Sequence, residues 1–211
     1  MPLMSAPPTA FAEGKILMTV DDRVGIITFN NPDKRNAMSL EMWEGLGQAL
    51  VALRDDVDIR VVVLTGAGDK AFVSGADISQ FGIPAARLGI AYGHDGLRNL
   101  VSLVGPSQAR LLLYTGMRID AEEALRIGLV DRMMASDGLL PATLDIARTI
   151  SQNAPLAIKA AKITIAEVLK DESRRDMEAI KAIGNACMDS ADFREGRQAF
   201  MEKRKPRFTG T

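Results

Sequence analysis

Ser74 to Asp77 read Ser-Gly-Ala-Asp, and their small side chains let another molecule come close to the backbone. Gly75 has a wider range of dihedral angles than other residues, so it can turn the following N–H, that of Ala76, outward. An outward N–H can stabilise the negative charge that develops on a carbonyl oxygen during acyl chemistry. An ordinary strand, glycine turn and helix start is the alternative interpretation of this pattern.

His94, the only histidine, stands beside Asp95 in Gly-His-Asp-Gly, a composition typical of a surface turn. Ser74, His94 and an aspartate suggest a hydrolase triad, a rival chemistry. This triad is disfavoured because Ser74 lacks the context of a nucleophile elbow. A metal site is not expected either, since one histidine and one cysteine supply too few imidazole or thiolate ligands.

Two basic segments have the charge to bind phosphate. Lys34 and Arg35 lie in a polar loop, and Lys203 lies near the end of a helical pattern. The alternatives are a solvated charged loop for the first and a basic last turn, favoured by the helix dipole, for the second.

The elements that would position these groups begin with a hairpin of two β-prone runs, Ile16 to Val20 and Val24 to Phe29. Ser39 can cap a helix whose apolar residues recur at spacings of three and four. That stripe consists of Met42, Leu46, Ala49 and Leu53. The β-branched run Val61 to Leu64 follows, and it predicts a strand buried on both faces. Strand, helix and strand in this order predict a parallel crossover.

From Leu139 onward the sequence pattern is helical only. Residues 14–138 are expected to form a β/α core, residues 139–211 a helical region, and residues 1–13 a flexible tail. The predicted C-terminal helices are Ala142 to Ser151, Pro155 to Leu169, Glu172 to Met188 and Ala191 to about Lys203.

Composition narrows the function classes. A formal net charge of -1 argues against a nucleic-acid or membrane-surface partner. The single cysteine, Cys187, excludes an internal disulfide and fits a reducing compartment, so a cytoplasmic location is expected.

Four segments in order resemble the enoyl-CoA hydratase/isomerase (crotonase) superfamily. They read NPDKRNAMS, GAGDKAFVSGADI, GMRIDAEEALRIGLVD and REGRQAFMEKRKPRF. The resemblance implies an α/β fold, in which a crotonase-like β/α spiral core is followed by a helical C-terminal oligomerisation region. It also implies a homotrimer or hexamer, with an acyl-CoA as substrate and no separate cofactor.

The resemblance assigns roles to individual residues. It implies that the Ala76 N–H forms half of an oxyanion hole. It implies CoA contacts for seven residues: Lys34, Arg35, Ala37, Asp77, Ile78, Phe200 and Lys203. Asp95 is the expected general acid/base, because an acidic residue often occupies that loop in similar sequences, and a carboxylate beside an apolar pocket has a raised pKa.

One departure from the family lies between Gln80 and Phe81. Similar proteins carry there a long helix, a buried strand and a glycine-rich turn that leads into another helix. That segment supplies the second oxyanion donor and a catalytic glutamate, and Ala85 stands where a second glutamate is expected. The expected reaction is hydration of 2-enoyl-CoA thioesters, a lyase reaction of fatty acid metabolism. The alternatives are another crotonase-type reaction (isomerase, thioester hydrolase or decarboxylase) or a catalytically impaired homologue that binds CoA or assembles with other subunits.

Overall fold

The computed structural model describes residues 7–69, 71–73 and 81–211. Within them lies a four-stranded sheet in the order β1-β2-β3-β4. Its strands are β1 (Thr9–Phe11), β2 (Ile16–Asp21), β3 (Val24–Phe29) and β4 (Val61–Gly66). A second sheet pairs β5 (Phe81–Gly82) with β6 (Arg118–Ile119). The helices are α1 (Leu40–Asp55), α2 (Ala85–Leu88), α3 (His94–Thr115), α4 (Ala121–Arg126), α5 (Ser136–Ser151), α6 (Pro155–Val168), α7 (Met177–Asp189) and α8 (Ala191–Met201).

The predicted hairpin and crossover are both confirmed. β2 pairs with β3 antiparallel, and β3 pairs with β4 in parallel, with Val24 opposite Val61. α1 connects these last two strands, and the Ser39 hydroxyl caps it by accepting a hydrogen bond from the Met42 N–H. The predicted stripe of α1 is buried on Ile16, Ile27 and Phe29 of the sheet.

The predicted tail, residues 1–13, is wrong for Thr9–Phe11. These residues form β1, which pairs antiparallel with β2 from Thr9 opposite Met18 to Phe11 opposite Ile16. Phe11 and Ala12 also pack against the core cluster under α1. Strand pairing and apolar burial therefore hold this segment on the sheet.

The prediction that Val61 to Leu64 is buried on both faces is wrong. Val63 is buried against Val24 and Ala147, beneath α5. Val62 and Leu64, however, are 39% and 44% exposed. The reason is that β4 lies at the edge of the described sheet, beyond the surface that α1 covers.

The helices after β4 begin and end at recognisable signals. α3 contains a kink at Gly105, which has a φ of 74° and precedes Pro106. Asp120 caps α4 by accepting from the Glu123 N–H. α5 begins at Ser136, six residues before its predicted start, whereas Glu172–Arg174 form a separate 3₁₀ turn.

No helix in the described ranges combines the length and apolar character that a bilayer span requires.

The last ten residues fold back on α8. The buried Asp192 carboxylate accepts from the backbone N–H groups of Thr209 and Gly210, at 2.7 and 2.9 Å. Arg60, which directly precedes β4, donates to the Phe208 carbonyl at 3.0 Å. The C-terminal segment is thereby tied both to α8 and to the sheet.

Glu195 is the second anchor of this segment, and it yields a prediction on pH. The Arg204 guanidinium, which pairs with both carboxylate oxygens at 2.6 and 2.9 Å, and the Arg207 N–H together lower the pKa of Glu195 from 4.5 to about 2. Because the pKa of Glu195 is lower in the folded state, ionised Glu195 stabilises the fold when the pH is above the ordinary pKa of glutamate. This contribution to the free energy of unfolding is lost as the pH falls from about 4.5 to about 2. We expect a carbon-13 titration of the Glu195 carboxyl to have its midpoint near pH 2.

The matched variants are Arg204→Gln and Arg194→Gln. Arg204→Gln should move the Glu195 midpoint upward, towards the ordinary value of glutamate. Arg194 donates to the Asp189 carbonyl instead, so Arg194→Gln should leave the midpoint in place. A midpoint that is the same in all three proteins would contradict the role given to Arg204.

Candidate active site

The loop between β3 and α1 has an unusual backbone conformation. Arg35 and Asn36 lie in succession in the left-handed region, with φ of 52° and 57°. This region is uncommon for residues other than glycine, although asparagine enters it more readily than most. Backbone hydrogen bonds close the loop, from the Asn36 N–H to the Asn31 carbonyl at 2.8 Å and from the Ala37 N–H to the Lys34 carbonyl at 3.0 Å. The loop thus presents Lys34, Arg35 and Ala37 in one compact turn.

Asn36 joins this loop to the turn that follows β4. Its side chain is fully buried, and its oxygen accepts from the Asn31 N–H at 2.9 Å. Its nitrogen donates to the carbonyls of Ala67 and Ala71, at 3.0 and 2.8 Å. One side-chain amide therefore bonds to two segments that are more than thirty residues apart in sequence.

Gly66 allows these two segments to approach. A Cβ atom at this position would lie 2.5 Å from the Phe72 carbonyl oxygen and 2.6 Å from that of Ala71. It would also lie 2.8 Å from the Asn36 side-chain nitrogen. A glycine is required here because the chain returns directly over the end of β4.

Two cavities meet at the turn from Gly66 to Ala71. One has a volume of about 410 Å³ and lies against the loop; Arg35, Asn36 and Asp69 contribute to its walls. The other has a volume of about 580 Å³ and lies between β4 and α5. Its apolar walls are Val63, Leu64, Ala71, Phe72, Met134, Leu139 and Leu140. Gly68, Asp69 and Ala71 border both cavities, so a polar compartment adjoins a largely apolar one.

The C-terminal residues of the predicted site lie elsewhere in this chain. Phe200 is 83% exposed near the end of α8, and it lines a groove of about 460 Å³ between α6, α7 and α8. Lys203 follows α8 with a φ of 54°. The described structure therefore does not bring Phe200 onto either cavity at the Gly66–Ala71 turn. A larger cavity of about 900 Å³ is lined by Glu195 and Arg204, which are already paired with each other.

Asp95 is not in the apolar surroundings expected for it. It lies in the first turn of α3, where its carboxylate is 95% exposed and lies 3.2 Å from Nδ1 of His94. The expected apolar pocket around this carboxylate is therefore wrong for the single chain. Its role as general acid/base stays a prediction.

The three residues of the motif after β4, Ala76, Asp77 and Ile78, lie outside the described residues, and so does Ser74. Neither the oxyanion role of the Ala76 N–H nor the rival triad is tested by the geometry. The last described residue before them is Val73, which packs against the core cluster under α1.

Asn36 is the residue that sequence reasoning missed. The pattern Lys-Arg-Asn-Ala draws attention to its cations, and a neutral residue among them is easily taken for a loop filler. The available signal was the residue type, because asparagine favours left-handed turns and hydrogen-bonds to nearby backbone. The identity of its distant partners, Ala67 and Ala71, could not be inferred from the sequence.

Comparison with known proteins gives a consistent result. The family model described as enoyl-CoA hydratase/isomerase matches residues 19–80 and 77–211. A crotonyl-CoA hydratase of Syntrophomonas wolfei is 28% identical over 252 residues, covering 92% of this chain and 97% of that protein. A short-chain-enoyl-CoA hydratase of Clostridium acetobutylicum is 26% identical over 249 residues, covering 90% and 95%. Among solved structures, an enoyl-CoA hydratase from Bacillus anthracis has a TM-score of 0.85 at 26% identity, covering 93% of this chain and all of that one.

The same comparisons bear on the predicted internal gap. The alignment with the Syntrophomonas wolfei protein covers 252 positions, yet this chain has only 211 residues, so at least 41 positions have no counterpart here. The two matches to the family model meet at residues 77–80. This junction coincides with the break that the sequence predicts between Gln80 and Phe81.

Proposed function

This chain belongs to the enoyl-CoA hydratase/isomerase family, and on that premise we propose that it binds acyl-CoA thioesters and hydrates 2-enoyl-CoA reversibly. The observation that carries the proposal is the pair of cavities on either side of the Gly66–Ala71 turn. The polar cavity suits the phosphates and pantetheine of CoA, and the apolar cavity suits the acyl chain. The thioester would then lie at the turn that both cavities share.

In this proposal each group has a defined task. Lys34 and Arg35 bind phosphate by charge, and Ala37 follows the pantetheine. The Ala76 N–H, five residues beyond Ala71, donates to the thioester oxygen as negative charge develops there. Asp95 would transfer the proton, in an assembly that covers its exposed carboxylate. The remaining CoA contacts come from Asp77, Ile78, Phe200 and Lys203. Phe200 and Lys203 would make theirs in a trimer that the C-terminal helices build. The trimer would act in the cytoplasm.

A second candidate function is supported by the internal positions of the relatives that have no counterpart here, at the predicted break between Gln80 and Phe81. Without the segment that relatives carry, the chain would bind CoA thioesters or assemble with other subunits while catalysing poorly. CoA binding is common to both candidates, whereas turnover distinguishes them.

CoA binding is the first test, with Arg35 as the probe. Arg35 is exposed on the loop, so Arg35→Gln removes a cation without disturbing the core. We expect calorimetry to show about tenfold weaker CoA binding, because a charge-assisted contact to phosphate contributes about 1.5–3 kcal/mol before salt screening. The control is Arg54→Gln, an exposed arginine that pairs with Asp55 at the end of α1, and it should bind like the wild type. Equal affinities in both variants would remove Arg35 from the site, and no CoA binding by the wild type would refute the proposed function.

A further inference from the structure

The Asn36 side chain is fully buried, and it is a neutral group placed among backbone groups of two separate segments. Both N–H bonds of its amide are used, one on Ala67 and one on Ala71, while its oxygen accepts from Asn31. A carboxylate of the same shape could keep the bond from Asn31 but could donate to neither carbonyl. The arrangement therefore specifies an amide, rather than a polar side chain in general.

The bonded segments lead to the two halves of the proposed site. On one side, the Asn31–Ala37 turn carries Lys34 and Arg35. On the other side, Ala67 and Ala71 begin and end the turn that borders both cavities. Gly66 brings these segments so close that no side chain fits between them. Their spacing is thus set by one amide and one glycine.

We infer that Asn36 is a positioning residue, whose amide holds the cationic loop and the turn after β4 at the spacing that CoA thioester binding requires. This inference rests on the proposed function. Although Asn36 contributes to the wall of the polar cavity, its amide is buried and already hydrogen-bonded, so the inference assigns it no hydrogen bond to the substrate. Asn36 acts through the two segments that it joins, and loss of the amide should separate the loop from the turn while the sheet and α1 remain folded.

The test compares Asn36→Asp with Asn30→Asp. The Asn30 side chain also donates a partly buried amide hydrogen bond, at 2.9 Å, but to the Gly14 carbonyl, which lies between β1 and β2. Asn36→Gly is the third variant, because glycine adopts the left-handed conformation freely and removes the amide without adding backbone strain. Each protein is studied at a temperature well below its own unfolding midpoint.

The first measurement needs no ligand. Amide chemical shifts in heteronuclear NMR spectra should move for Gly68, Asp69 and Phe72 in both Asn36 variants, and stay in place in Asn30→Asp. Shifts that remain unchanged across this turn in Asn36→Asp would overturn the inference, whether or not the protein binds CoA.

The second measurement is CoA affinity by calorimetry. We expect about tenfold or greater loss of affinity in Asn36→Asp and Asn36→Gly, since a buried group left without its partner disrupts the local fold, and a change below twofold in Asn30→Asp. A merely structural role would lower the unfolding midpoint of the Asn36 variants and leave their affinity for CoA intact, and that result would also overturn the inference. If the wild type binds no CoA, the proposed function fails, and the NMR comparison still decides whether Asn36 sets the spacing.

Discussion

The 211-residue chain is expected to hydrate crotonyl-CoA at least about 10²–10³ times more slowly than the crotonyl-CoA hydratase of Syntrophomonas wolfei. The reason is the internal segment of the relatives that this chain lacks, placed by the sequence between Gln80 and Phe81. An oxyanion hole needs two donors directed at one oxygen, and removal of one donor typically lowers the rate by about this factor. The chain retains the donor proposed at Ala76 and lacks the segment expected to supply the other.

A shortage of groups for proton transfer is expected to lower the hydration rate further. After Pro84 the chain continues with Ala85 and Ala86, which open α2 and have no ionisable group. The Asp95 side chain is 95% exposed in the single chain, so water solvates its carboxylate, and Asp95 does not line the apolar cavity. General acid and base catalysis contributes about 10²–10⁴ in rate, and this chain has at most one carboxylate proposed for it.

The experiment measures the loss of crotonyl-CoA absorbance for three proteins side by side. They are the wild type, the Syntrophomonas wolfei relative, and a chimera in which the relative's internal segment is inserted between Gln80 and Phe81. The chimera should recover a large part of the missing rate if the segment is the cause. A wild-type rate within tenfold of the relative would show that the segment is dispensable, whereas CoA binding with no measurable turnover would favour the impaired homologue over the hydratase.

Gly66→Ala is the substitution with the largest expected structural effect. The new methyl group would lie 2.5 Å from the Phe72 carbonyl oxygen and 2.6 Å from that of Ala71, and both neighbours are backbone atoms that cannot rotate away. The turn after β4 must shift, and the two Asn36 hydrogen bonds to it must lengthen or break. We expect a loss of about 3 kcal/mol in the free energy of unfolding, at the upper end of the usual cost of overpacking. Urea unfolding followed by circular dichroism measures it.

Gly47→Ala is the matched control. Gly47 lies on the exposed side of α1, and a Cβ atom there would meet no atom within 4 Å. Alanine is a better helix former than glycine, so this variant should gain about 0.5–1 kcal/mol. The same chemical change thus has opposite expected signs at the two positions. Similar effects in both variants would show that the close approach at Gly66 relaxes without cost.

The periodic parts of the fold could be predicted from the sequence because they depend on local patterns. The α1 stripe, the hairpin and the Ser39 cap all depend on residues within a few positions of one another. The sequence did not predict β1 because three residues are too few to show a strand pattern. Its conformation is decided by its pairing with β2. The exposure of Val62 and Leu64 was also missed, since burial of a strand depends on which elements cover it.

The candidate site shows the same limit. The cationic loop was identified from its charge, but its connection to the turn after β4 depends on hydrogen bonds between residues more than thirty positions apart. The sequence also did not predict the two polar pairs that anchor the C-terminal segment, because the partners in each pair are separated in sequence. These pairs are Asp192 with Thr209 and Glu195 with Arg204. Each of these residues is of a type that is common on protein surfaces, and its partner becomes known only from the fold.

Within the part of the chain that the structure describes, β4 is an edge strand, and this has a consequence for aggregation of the newly made protein. The strand Val61–Gly66 contains neither a charge nor a proline, the features by which natural sheets usually discourage edge-to-edge aggregation. A high concentration of newly made chains, or heating, would favour pairing of such edges between neighbouring molecules. Holdase chaperones that recognise extended apolar chain would therefore compete with self-association, and the yield of native protein would fall as expression rises.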